Sequence, residues 1–132
     1  RVVKLTSAVD CGTAIQPQMV VGQFEGGTLQ AVGFAHLEVV TTKDGRFQQD
    51  RMATCIIPTT LDAPEFVTEL VEVPFEHGPF GAKGVGEMPM DGGAPAVLSA
   101  IEDALGIHVK RLPATAEHLM ELWLAAHPQE RL

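Results

Sequence analysis

Four glycines and one acid make Gly78-Pro-Phe-Gly-Ala-Lys-Gly-Val-Gly-Glu-Met-Pro89 the stretch best suited to chemistry. Glycines at 78, 81, 84 and 86 let bare backbone approach another group, at an entropic cost of roughly 0.5–1 kcal/mol each relative to alanine. A bound ligand or a tightly fitted protein surface must offset that cost, and the carboxylate of Glu87 favours a ligand. Val85, Met88 and Pro89 are its apolar neighbours in sequence. Folded around the carboxylate, they would strip its hydration and raise its pKa toward the range of a general base. The alternative is an acid at a helix start that interacts with the helix dipole or an exposed lysine.

The loop is no phosphate cradle. Counting from Gly81 to Gly86, a Walker loop would continue with lysine and Ser/Thr, whereas Glu87 and Met88 follow. A dinucleotide fingerprint would place glycine three residues after Gly86, where Pro89 stands. A small nucleotide-binding protein is therefore disfavoured. What the loop offers is backbone donors, one cation in Lys83, and the acid. Gln23, set among Gly22, Gly26 and Gly27, is a second candidate, because an amide presents a donor and an acceptor edge together; a surface glutamine on a helix is its alternative. His36, His77, His108, His118 and His127 show no paired helical spacing, so no metal site is expected from them. Cys11 and Cys55 are too few for an iron–sulfur cluster or a four-cysteine zinc site, and read as free thiols rather than as one disulfide. Neither Ser7 nor Ser99 sits in a nucleophile elbow.

The 132 residues suit one domain, 1–132, with a core of its own. A formal charge of −8 without a lysine/arginine cluster argues against nucleic acid or an anionic membrane as partner. No apolar run nears the ~18 residues of a membrane span, and the start lacks a signal pattern, which makes the cytoplasm the expected compartment. The chain opens on Arg1 and goes directly into a strand-like stretch, as a piece of a longer polypeptide would.

Those candidates need elements to hold them. Val2–Val9 reads as a strand ended by Asp10-Cys-Gly12, and Pro17 opens a helix to about Phe34. Gly22, Gly26 and Gly33 in that helix imply close approach to a helix, a sheet or a ligand. His36–Thr42 and Phe47–Ile57 read as strands joined by an Asp44-Gly45 turn, and Val67–Val73 as a further strand. A long loop from Pro74 to Gly93 comes next, a length that points to function or interdomain contact. Pro95 then opens a helix with Val97, Ile101 and Leu105 on one face and Gly106 at its stop. Ile107–Arg111 reads as a short strand, and Ala116–Ala126 as a helix capped by Thr115. The order β-α-β-β-β-α-β-α suggests an α+β fold, one small mixed sheet with two or three helices packed on it.

Taken together these segments resemble the C-terminal part of the molybdenum-binding subunit of the xanthine dehydrogenase/aldehyde oxidase family. The likeness rests on Asp10-Cys-Gly, Gln16-Pro, Gly22-Gln-Phe-Glu-Gly-Gly27, Ile57-Pro-Thr59, Asp62-Ala-Pro64 and Gly78 to Glu87, in the family's order. Two positions depart from it: Gln16 stands where asparagine is common, and Cys55 near a common aromatic. The resemblance implies that Glu87 is the active-site base beside a molybdenum–pyranopterin cofactor, in its plain or its cytosine dinucleotide form. The glutamate would take a proton from a metal-bound hydroxyl while an aldehyde or N-heterocycle is oxidised. It also implies that Gln23 and the backbone of Lys83, Gly84, Val85 and Gly86 lie at the cofactor, with no metal ligand from the chain itself. The implied partners are the remaining domains of the molybdenum subunit, [2Fe–2S] and FAD domains or subunits, and a small-molecule substrate. Alone, the chain is expected to be inactive and to self-associate. A stand-alone binding or structural module that kept the fold is the competing reading.

Overall fold

A computed structural model describes residues 1–130. In chain order it contains β1 (Lys4–Asp10), α1 (Pro17–His36), β2 (Thr42–Lys43), β3 (Arg46–Phe47), β4 (Glu65–Val71), α2 (Met88–Leu105) and α3 (Ala116–Ala126), with short 3₁₀ turns at Pro79–Gly81 and Pro128–Glu130. The α+β class with three helices is borne out. The strands, however, form two separate pairs in place of one mixed sheet. β1 and β4 run parallel in the register Lys4↔Glu65 to Asp10↔Val71, joined through α1. β2 and β3 make a minimal antiparallel hairpin, turned by Asp44 and Gly45 at φ 50° and 73°, as the Asp-Gly signal requires.

Two long expected strands are thus shortened. Helix α1 continues through His36, so only Thr42–Lys43 pairs, with Arg46–Phe47, and the apolar residues from Met52 to Ile57 meet no partner strand. Phe47, Met52, Ile56 and Ile57 stand exposed. β-Branched content makes a strand only where a neighbouring edge takes up its backbone groups. Ile107–Arg111 misleads in the same way. Ile107 and Val109 are buried, but beneath α3, beside Ala114, Leu119, Leu122 and Trp123. Within the segment Val109 N–H donates to the Glu102 side chain, Oε1, at 2.7 Å, and beyond it Ala114 N–H donates to the Ala35 carbonyl of α1 at 2.7 Å.

Helix α2 begins at Met88, seven residues before the expected Pro95. Pro89 occupies its first turn, where a missing N–H costs nothing, and Pro95 is carried inside the helix. Gly106 ends it in the left-handed conformation, φ 64°, its N–H returning to the Glu102 carbonyl at 2.8 Å. The Thr115 hydroxyl caps α3 by accepting from His118 N–H.

The contact between α1 and α2 organises the rest. A Cβ on Gly27 would lie 2.7 Å from Pro89 Cβ, and one on Gly93 would lie 2.5 Å from Ala31 Cβ. Both members of these pairs advance by four residues, so the helices run parallel, backbone close to backbone. Further along, Val32, Ala35, Ala94 and Val97 form the core, with Val2, Leu5 and Ile101 packed on it. Of the glycines singled out in α1, Gly33 does pack, against Pro58 and Glu38, whereas Gly22 and Gly26 face open space. No helix among the described residues is long and apolar enough to cross a membrane.

Gly93→Val overpacks the helix contact and should lower stability by about 1–3 kcal/mol. Gly26→Ala, in open space on the same pair of helices, should raise it by about 0.5–1 kcal/mol. Urea unfolding midpoints displaced in opposite directions would bear out this packing, and equal displacement would refute it.

Candidate active site

The glycine loop is fastened to the end of β1. Thr13 N–H donates to the Gly81 carbonyl at 2.9 Å, Lys83 N–H to the Cys11 carbonyl at 3.0 Å, and Gly12 pairs with Ala82 in an antiparallel bridge. The Gly81 carbonyl also accepts from Phe75 N–H at 2.9 Å, which closes the turn on itself. Here glycine is obligatory. Gly12 has φ 67°, and a Cβ on it would fall on the Gly81 carbonyl oxygen; a Cβ on Gly78 would fall on that of Ala82. Between them Phe80 adopts φ 53° and ψ 23°, rare for an aromatic residue, and leaves its side chain 90% exposed.

A charged tether reinforces the backbone bonds. Asp10 Oδ1 accepts from Gly12 N–H at 2.9 Å, and Asp10 Oδ2 accepts from Lys83 Nζ at 2.5 Å. The Lys83 ammonium and the Gly12 N–H hold the Asp10 carboxyl below the usual carboxylate range. The loop's one cation is therefore committed within the chain. Beyond it Gly84 and Gly86 have no atom within 4 Å of where a Cβ would stand, and the Gln23 side-chain amide donates to the Gly86 carbonyl.

Glu87 follows at the N-cap of α2, exposed and without a capping hydrogen bond from its side chain. Of its expected apolar neighbours, Pro89 is buried at Gly27, Val85 is half-buried and Met88 is exposed. Among the described residues no apolar collar surrounds the carboxylate. The structure thus brings Gln23, Gly86 and Glu87 together, with Lys83, Gly84 and Val85 leading in. Sequence reasoning missed Asp10, which binds both Gly12 and Lys83. Its signal was an aspartate two residues before a glycine, the pattern of a side chain that bonds its own turn.

Cys11 is buried, Cys55 half-buried, and both are free. Among the described residues no three His, Cys, Asp or Glu side chains gather as a metal-holding cluster. A cleft of about 490 Å³ lies between the start of β1 and the second half of α2, lined by Val2, Leu5, Val97 and Ile101 among others, and contains no residue of the glycine loop.

Because folding favours the charged form of Asp10, its stabilisation is whole above the ordinary carboxylate value of 3.8 and fades as pH falls through the lower folded value. Asp10→Asn should therefore be less stable than the parent at pH 7, and the gap should narrow below about pH 4. Chemical denaturation across pH 2–7 checks this; a gap independent of pH would contradict it.

Residues 1–64 match the molybdopterin cofactor-binding domain. The chain is 34% identical over 122 residues, 91% of its length, to the "Probable hypoxanthine oxidase XdhD" of Escherichia coli K12. It is 32% identical over 114 residues, 86% of its length, to a probable xanthine dehydrogenase component of Bacillus subtilis. Its fold superimposes on quinoline 2-oxidoreductase from Pseudomonas putida 86 with a TM-score of 0.86 over the whole chain, at 34% identity, and covers 17% of that chain. It spans 13% and 15% of the two curated relatives. Loop, helices and sequence agree: this chain is homologous to part of the molybdenum subunits of the xanthine dehydrogenase, carbon monoxide dehydrogenase and aldehyde oxidoreductase family.

Proposed function

We propose that the chain is the C-terminal portion of the molybdenum subunit of a hydroxylase that oxidises an aldehyde or an N-heterocycle, and that it supplies the catalytic base and one wall of the cofactor site. One observation carries this reading. The Glu87 carboxylate stands open at the start of α2, next to a peptide that Gln23 holds, beside glycines without side-chain cover.

That surface fits a flat pyranopterin. Gly84 and Gly86 on the loop, and Gly22 and Gly26 beside Gln23 on α1, leave empty the volume a Cβ would fill. The backbone of Lys83, Gly84, Val85 and Gly86 would border the cofactor. Gln23, its nitrogen spent on Gly86, keeps its carbonyl oxygen as an acceptor for a heterocycle N–H. When bound, the molybdenum group supplies Lewis acidity and two-electron redox capacity. Glu87 takes up the proton of the oxygen nucleophile at a carboxylate oxygen, and must be ionised to do so. Water exclusion around that carboxylate comes from polypeptide outside this chain, since its own apolar residues do not surround it.

The remaining domains of the molybdenum subunit and [2Fe–2S] and FAD partners complete the proposed cytoplasmic assembly, with the cofactor as the plain or the cytosine dinucleotide form. Exposed Met19, Met52, Ile56, Leu61 and Phe80 support docking against such neighbours, and isolated chains would cover these residues by self-association.

Glu87→Gln in the complete enzyme should reduce kcat by roughly 10²–10⁴-fold, the usual worth of a general base, with molybdenum content per enzyme unchanged. Steady-state kinetics with metal analysis measures both. Turnover close to the parent enzyme would remove the assignment.

A further inference from the structure

Lys83 is gripped twice by the exit of β1. Its backbone N–H donates to the Cys11 carbonyl at 3.0 Å and its ammonium to Asp10 Oδ2 at 2.5 Å. Asp10 itself is well seated. It is the last residue of a strand paired along seven positions with β4, and its other oxygen takes Gly12 N–H at 2.9 Å. From Lys83 to Glu87 the chain has little else to fix it. Gly84 and Gly86 touch nothing at their Cβ positions, Val85 is half-buried, and the Gln23 amide on the Gly86 carbonyl is the other side-chain hold.

We propose that Asp10 is a positioning residue for Glu87, acting through Lys83, and that the Lys83 side chain is a strut of the loop and not a cation presented to a ligand. The inference rests on the assignment of Glu87 made above. The pair is partly exposed, 31% for Lys83 and 38% for Asp10, so solvent screens its charge. Its value lies in geometry. Displacing a catalytic group by an ångström can cost on the order of 10²-fold in rate, and a glycine-rich segment released at one end has the freedom to move that far.

The test uses the complete molybdenum enzyme. Asp10→Asn keeps an oxygen for the Gly12 amide and removes the charge; Lys83→Met removes the ammonium; Lys83→Arg preserves a cation. Hydrogen–deuterium exchange over residues 81–87, kcat and KM taken separately, and molybdenum and pterin content are read for each. In Asp10→Asn and Lys83→Met, exchange should rise about tenfold with α1 and α2 unchanged. In both, kcat should fall about tenfold at constant KM and constant cofactor content, an effect smaller than the full ångström penalty. The double variant should be no worse than either single, because all three lose one interaction. Lys83→Arg should keep the slow exchange that Lys83→Met loses. Cofactor lost from Lys83→Met but retained in Asp10→Asn would show the ammonium to be a ligand contact and overturn the proposal, as would unchanged exchange and unchanged kcat in both. The exchange result does not depend on what Glu87 does. An active Glu87→Gln enzyme would sink the base assignment while leaving the tether measurable on its own.

Discussion

The close, parallel packing of α1 against α2 is the constraint on which the site depends. Gly27 admits Pro89 and Gly93 admits Ala31, so the first turn of α2 is pressed onto the middle of α1. Because α1 begins ten residues before Gly27, its early turns project past the start of α2, and Gln23 there meets the peptide that precedes Glu87. A side chain at either glycine would move the whole N-terminus of α2, and the acid with it. This explains why small residues recur along the facing stripe, Gly27, Ala31 and Ala35 on one helix and Gly93, Ala94 and Val97 on the other. Tight backbone approach defines position more narrowly than bulky, flexible side chains would.

The parts of this structure that could be read from the sequence are those decided locally. Pro17 marks the start of α1, Asp44-Gly45 the hairpin, Thr115 the cap of α3, and Gly106 the end of α2, each through a conformational preference of the residue itself. The glycine loop announced itself through composition. Misreadings came where a local pattern had two physical sources. Ile107 and Val109 alternate with polar residues as a strand would, yet a covering helix buries the same positions. Pro95 resembles a helix start because Pro89 and the glycines between them weaken the signal of the true one. Beyond Phe47, which pairs with Thr42, the stretch to Ile57 had strand composition without an edge to receive it. The tether between Asp10 and Lys83 lay beyond sequence reasoning, since nothing local couples residues 73 positions apart.

What the chain does not provide is equally specific. Its acid is exposed, and the cleft of about 490 Å³ lies along the other ends of β1 and α2. Exposed methionines, isoleucines and Phe80 surround a modest core. Such a surface suits a wall better than a free-standing vessel. Under the proposed function, placement of the base belongs to this chain, and the dielectric that tunes it belongs to whatever closes over the loop.

The two holds on the segment before Glu87 span 63 and 73 residues of sequence. Contacts of that separation carry a loop-closure cost that no local preference of the loop offsets. The β1–β4 pairing, from Lys4↔Glu65 onward, and the contact of Gly27 with Pro89 close loops of about the same length, so the placement of the acid is part of the same long-range closure that makes the fold. An intermediate lacking either docking step would carry every residue of the site and present none of them in register, so its chemistry would remain silent until the topology is complete.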